Sequence, residues 1–197
     1  MPRHTSRRFG CSVRVMAVEI GSPRKEPLVK IPIQVEPSPT GRTTPAVEYR
    51  WDPDTEILSA QLSPQAAGTG ISGSVELEGA DGSWLILDVS EGHINSVEVA
   101  VWPDVQKRRS LQPPGSVEDG RVVVAARKSH PDVAALEVET PMLAEADEFE
   151  RVFHFVLGKR RQTRTVRCAR DLLVDLDGSN NLAGLWLLNV PPFPAPA

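Results

Sequence analysis

The chain has 197 residues, 40% of them hydrophobic and only 5% aromatic, with 18 prolines and 14 glycines. Punctuation that dense argues against long helices and for short strands joined by many turns. Twenty-two basic and 26 acidic residues leave a net charge of −4, so the molecule as a whole has no electrostatic pull towards nucleic acid or an anionic membrane, and such a partner would need a local patch.

Cys11 and Cys168 do not make a disulfide framework, which points to a reducing, cytoplasmic setting. No apolar run approaches the roughly 18 residues of a membrane span. Arg3, Arg7, Arg8 and Arg14 have no apolar segment behind them, unlike a secretory signal. Met16 opens the first start-like segment, so residues 1–15 are weighed as a mis-assigned start and given no functional weight.

Residues 1–27 read as a flexible leader. Leu28 to Val35 alternates in part and is a short strand, with Pro32 marking a sheet edge. Val47 to Trp51 and Ile57 to Leu62 flank the turn residues Asp52-Pro-Asp-Thr55 and form a hairpin. Val75 to Leu77 and Trp84 to Asp88 flank a second turn, Glu78 to Gly82. Ile94 to Trp102 follows, with Val97, Val99 and Val101 on one face at period two. Residues 104–116, with Lys107-Arg108-Arg109 and Pro113-Pro114, are a linker. Arg121 to Ala126 is a strand matching the one near Ile31. Thr140-Pro141 resembles a helix start, and Met142, Ala146, Phe149 and Phe153 have helical spacing, so a short helix at most precedes the strand Val152 to Leu157. Gly158 to Gln162 reads as a tight turn. Val166 to Cys168, Leu172 to Leu176 and Leu182 to Val190 are strands, and residues 192–197 form a proline-rich tail.

Two stretches read as weak copies of each other. Asp52 to Leu62, Leu85 to Val97 and Trp102-Pro103 correspond to Asp147 to Leu157, Leu172 to Leu182 and Val190-Pro191. Each takes an acidic turn into an apolar strand, then a strand ending in Asp across a polar turn into another strand closed by proline. The fold expectation is therefore all-β, or β-dominated α+β: two related antiparallel meanders, residues 28–103 and 117–191, packed as one pseudo-symmetric domain.

The run Val174-Asp175-Leu-Asp177-Gly-Ser-Asn-Asn-Leu182-Ala-Gly184-Leu-Trp-Leu-Leu188 resembles the C-terminal signature of a small bacterial β-rich domain family of unknown function. That family's pattern is a Tyr-Asp turn into a strand, later Val-Asp-x-Asp with a Gly turn, then Leu-x-Gly-Ile-Glu-Ile-Leu. The first unit resembles it at Tyr49, Trp51-Asp52-Pro53, Leu58 and Leu85 to Val101, without the second Asp and the Gly; the second unit lacks the Tyr-Asp start. The resemblance implies a compact, duplicated β-rich fold with no established activity, of a kind that partners another small protein. Function does not follow from fold.

The sharpest charge feature is Lys159, Arg160, Arg161, Arg164, Arg167 and Arg170, six basic residues within twelve. It suits a phosphate backbone or an acidic protein surface. The plainer reading is a solvated turn and strand paired with the acidic stretch Glu145 to Glu150 on a neighbouring strand. Asp175 to Asn180 lacks the third acidic position and downstream Glu of a calcium loop and reads as a β-turn. Asp52, Asp54 and Glu56 read as turn chemistry before acid–base chemistry. Of the histidines, His93 reads as a turn residue, and His154 points away from Phe153 and Phe155. None has a neighbouring second ligand, so no metal site is expected. Cys168 beside Arg167 and Arg170 is either a thiol of depressed pKa or, more plainly, a small half-buried strand residue. No catalytic residue and no cofactor site are expected, since phosphate loops, serine elbows and dinucleotide fingerprints are all missing.

The functional expectation is a non-catalytic protein-binding module, or one that self-associates, acting through an exposed strand edge or the basic strand around Arg164. The alternative is nucleic-acid association through residues 159–170. A weaker alternative is a hydrolase or small-molecule site between the units, which needs two of Asp52, His93 and His154 to converge.

Overall fold

The computed structural model describes residues 30–37, 44–63, 71–125 and 135–194. These contain fifteen strands and no helix, so the all-β expectation holds, and no helix among them is long and apolar enough to cross a membrane.

The strands form two sheets. The first contains β1 (Ile33–Glu36), β2 (Val47–Trp51), β3 (Leu58–Leu62), β4 (Gly73–Glu78), β5 (Trp84–Ser90), β6 (His93–Val101), β9 (Arg121–Val124) and β10 (Ala135–Glu139). Its path is β1-β9-β6-β5-β4-β10, and β3 carries β2 alongside β6. The second sheet runs β7-β11-β12-β15-β14-β13-β8, built from β7 (Val105–Lys107), β8 (Glu118–Asp119), β11 (Met142–Ala146), β12 (Val152–Leu157), β13 (Thr163–Ala169), β14 (Leu172–Asp177) and β15 (Leu182–Leu188).

The sheets do not follow the boundaries of the sequence repeat. Residues 121–124 lie antiparallel to β1 in the first sheet, and Ala135–Glu139 extends that sheet by pairing parallel with β4. The linker supplies one edge strand of the second sheet, β7 beside β11, and the first residues of the second unit supply the other, β8 beside β13. Both edges are two or three residues long, which leaves little ladder for another chain to join. Met142–Ala146 is a strand and not a helical turn, because its ladder with β12 satisfies the backbone that a helix would otherwise have paired internally.

The first sheet alternates. In β5, Leu85, Leu87 and Val89 are buried while Trp84, Asp88 and Ser90 are exposed, as expected for an antiparallel sheet with one face on a core. Those residues join Phe153, Phe155, Leu157, Val174, Leu185 and Leu187 of the second sheet in a single hydrophobic cluster. Side chains from β2 close one end. Tyr49 Oη donates to the Asp171 carbonyl at 3.0 Å and Trp51 Nε1 to the Pro191 carbonyl at 2.9 Å. Trp51 also stacks on Trp102, which tilts against Phe153 and Phe155.

The second sheet departs from alternation. Every residue of β14 is buried, as are the first six of β15, so its outer face is enclosed as well. Gly158 to Gln162 is not a hairpin turn. It carries the chain from β12 past β15 and β14 to β13, and Arg161 pins it there, donating to the carbonyls of Leu157 and Leu182 and to Asp177 Oδ2 at 2.8, 3.1 and 3.2 Å.

Candidate functional site

On the enclosed outer face of the second sheet, register places Glu145 beside His154, His154 beside Trp186, and Gly184 beside Asp175. His154 stacks flat on Trp186 with ring centroids 3.8 Å apart. Its Nε2 lies 2.9 Å from Asp175 Oδ2 and its Nδ1 lies 3.7 Å from Glu145 Oε2. Asp175 Oδ2 also accepts from Trp186 Nε1 at 2.9 Å, and Oδ1 accepts from the Thr165 hydroxyl. Gly184 is what lets these groups meet. A Cβ there would lie 2.7 Å from the Phe155 carbonyl oxygen and 3.2 Å from Asp175 Oδ2, closer than packed atoms tolerate.

Burial pushes the Asp175 carboxyl up, but the hydrogen bonds from His154 and Thr165 outweigh it and hold the pKa below the usual carboxylate range. Glu145 behaves alike, with burial opposed and overcome by Arg160 and Arg108, whose guanidinium nitrogens lie 2.7 and 2.9 Å from it. His154 is 8% exposed. Chemically, the cluster ties five strands, β11 to β15, together through ion pairs and hydrogen bonds to two carboxylates. It offers no free nucleophile beside the imidazole.

Four of the six basic residues singled out in sequence spend their charge within the chain. Arg160 pairs with Glu145, Arg161 with Asp177, Arg164 with Glu118 and Arg167 with Asp119. Only Glu145 comes from the expected acidic stretch, because β11 and β13 are separated by three strands; Glu150 pairs with Lys107 instead. Lys159 also has an interaction partner.

Asp52, His93 and His154 are not joined by a hydrogen bond among the described residues. Asp52 accepts from the Asp54 backbone N–H at 3.0 Å, which with further bonds from Thr55 lowers its pKa, and this is turn chemistry. His93 opens β6 and is buried. Asp177 closes the β14–β15 turn by accepting from the backbone of Ser179 and Asn181. No group of three or more His, Cys, Asp or Glu among the described residues is arranged to hold a metal ion. Cys168 is buried, and desolvation pushes its thiol up to about 12. The nearby arginines do not activate it.

Sequence reading passed over the outer face of the first sheet. Glu137 stands directly opposite Glu76, and Glu139 opposite Glu78. Glu76 is followed across the sheet by Ile86 and Glu98. The next row holds Asp88, Ser96, Gln61 and Glu48. Against these seven carboxylates the outward positions of the same strands offer one cation, Arg50. Like charges directly opposed across strands are destabilising. Trp84 and Val101, opposite each other in the ladder, are 39% and 46% exposed at the end of this face. Two grooves open on it: one of about 440 Å³ bordered by Glu78, Glu139 and Thr140, the other of about 690 Å³ bordered by Glu48, Gln61, Asp88 and Asn95. The signal was available as Glu at alternate positions 76, 78 and 137, 139, but which strands lay side by side was not.

Compared with known proteins, the sequence matches no family model and no curated relative.

Proposed function

We propose that the chain is a protein-binding module whose acidic sheet face receives a basic, extended segment of a partner protein. The observation that carries this is the pair of directly opposed glutamates, Glu137 with Glu76 and Glu139 with Glu78, on a face with a single compensating cation. A partner's lysines or arginines would relieve that repulsion, and Trp84 supplies an aromatic surface on which a cationic side chain can rest. Spaced carboxylates select a partner by charge and speed its encounter more than they add affinity. Nucleic acid is a weaker reading, because Arg160, Arg161, Arg164 and Arg167 are already paired with carboxylates.

The test is a titration of the full chain with a lysine- and arginine-rich peptide, and with neutral and acidic peptides of the same length, followed by tryptophan fluorescence and calorimetry at two salt concentrations. Binding of the basic peptide alone, weakened by salt and abolished in a Glu76→Lys, Glu98→Lys double variant, is expected. Equal binding of all three peptides, or binding that survives the charge reversal, would overturn the reading.

A further inference from the structure

His93 is a buried titratable group that lies outside both the His154 cluster and the acidic face. It opens β6, is 2% exposed and stands opposite Ser90 of β5 and Val123 of β9. Among the described residues neither ring nitrogen has a partner at hydrogen-bond geometry, although the Val122 backbone acts on the ring in the direction that raises its pKa. A neutral imidazole carries one donor and one acceptor, so the site already leaves polar atoms unsatisfied, and adding a proton would put an unpaired charge in the interior.

The position matters because of what hangs on it. His93 with Val123 is the one register pair between β6 and β9, and β9 in turn carries β1. The neighbouring Gly92, at φ +83°, accepts from the Val124 N–H at 2.7 Å and donates to the Ile71 carbonyl at 2.7 Å. The β1–β9 pair is therefore joined to the rest of its sheet through a few bonds clustered at this one imidazole.

We propose that His93 is an acid-sensitive latch: its protonation opens the β6–β9 junction and frees the β1–β9 pair from the first sheet. The charged groups facing it are Arg121 on β9, Glu36 on β1 and Glu91 in the β5–β6 turn. Burial lowers the His93 pKa most, and the Arg121 guanidinium lowers it further, while the Val122 backbone, Glu36 and Glu91 pull weakly the other way. Arg121 and Glu36 are themselves ion-paired, so they offer no free carboxylate to receive an imidazolium.

The sign follows from the lowered value. Above the usual histidine pKa of about 6.5 both states are neutral and the latch is at full strength. Below it the opened state takes a proton that the closed state refuses, so the opening constant rises by at most about tenfold per pH unit until the closed-state pKa is reached.

Hydrogen exchange at the Val124 amide, expressed as a protection factor between pH 7.5 and 5.5, reads the opening directly. The wild-type chain is expected to lose about tenfold in protection over that range, while His93→Gln and His93→Phe hold theirs constant. The folded wild-type ring should show no titration midpoint near 6.5 by NMR, a measurement that stands even if a variant fails to fold. Parallel loss of protection in wild type and His93→Gln, or an ordinary midpoint for the folded ring, would overturn the proposal.

Discussion

Replacing Asp175 tests whether the cluster on the second sheet is held by hydrogen bonds or by charge. The carboxylate is 4% exposed and accepts three bonds, from His154, Trp186 and Thr165. Asp175→Ala removes both acceptor oxygens and with them all three bonds. The Thr165 hydroxyl can turn to another partner, but the indole N–H and the imidazole stay aimed at the gap. Two buried donors left unpaired at about 1–3 kcal/mol each, plus the lost contacts, give a cost of about 4 kcal/mol. Asp175→Asn keeps the shape. Its amide oxygen can still accept from Trp186 and His154, while its NH2 turns to Thr165, whose hydroxyl rotates from donor to acceptor. Only the charge assistance is lost, about 1–1.5 kcal/mol. Urea unfolding at pH 7, followed by the near-ultraviolet signal of the tryptophans, measures both. Equal losses for the two variants would refute the hydrogen-bond account, because the charge would then be what matters.

Gly184→Ala should be as damaging as many larger changes, since its methyl would meet the Phe155 carbonyl at 2.7 Å. A cost of about 2–3 kcal/mol is expected from forcing β12 and β15 apart, visible as a lowered denaturation midpoint. Arg161→Ala unpins the connection between β12 and β13 and leaves the Leu157 and Leu182 carbonyls without the guanidinium. We expect about 2–3 kcal/mol from calorimetric or urea unfolding, whereas Arg164→Ala, whose ion pair with Glu118 is more exposed, should cost under about 1 kcal/mol.

Much of the strand pattern was legible in the chain. The hairpin of β2 and β3 was marked by Asp52 to Thr55, that of β4 and β5 by Glu78 to Gly82, and that of β14 and β15 by Asp177 to Asn181, because a hairpin's turn is made by residues next to each other in sequence. The alternation of β5 was equally local, as was that of β6 up to Val99, but Val101, expected on the same face as Val97 and Val99, is turned out beside Trp84 by a register shift in the ladder. Met142–Ala146 misled because its apolar spacing suits either a helix or a strand, and only its long-range ladder with β12 settles which. The candidate sites fared according to the same distinction. The basic run 159–170 stood out in sequence, but its partners Glu118 and Asp119 come from the start of the second unit, more than forty residues earlier in the chain.

By itself, then, the sequence determined the β class and the main turns, which rest on periods and turn chemistry within a few residues. The tertiary structure alone decided that Ala135–Glu139 would lie beside β4 and align glutamate with glutamate. It also decided that His154 would meet an aspartate 21 residues away across a glycine, and that β7 from the linker and β8 just after it would edge the second sheet on its two sides. Those outcomes depend on strand order and register, which are set by how the apolar faces share one core and not by any property of a single strand.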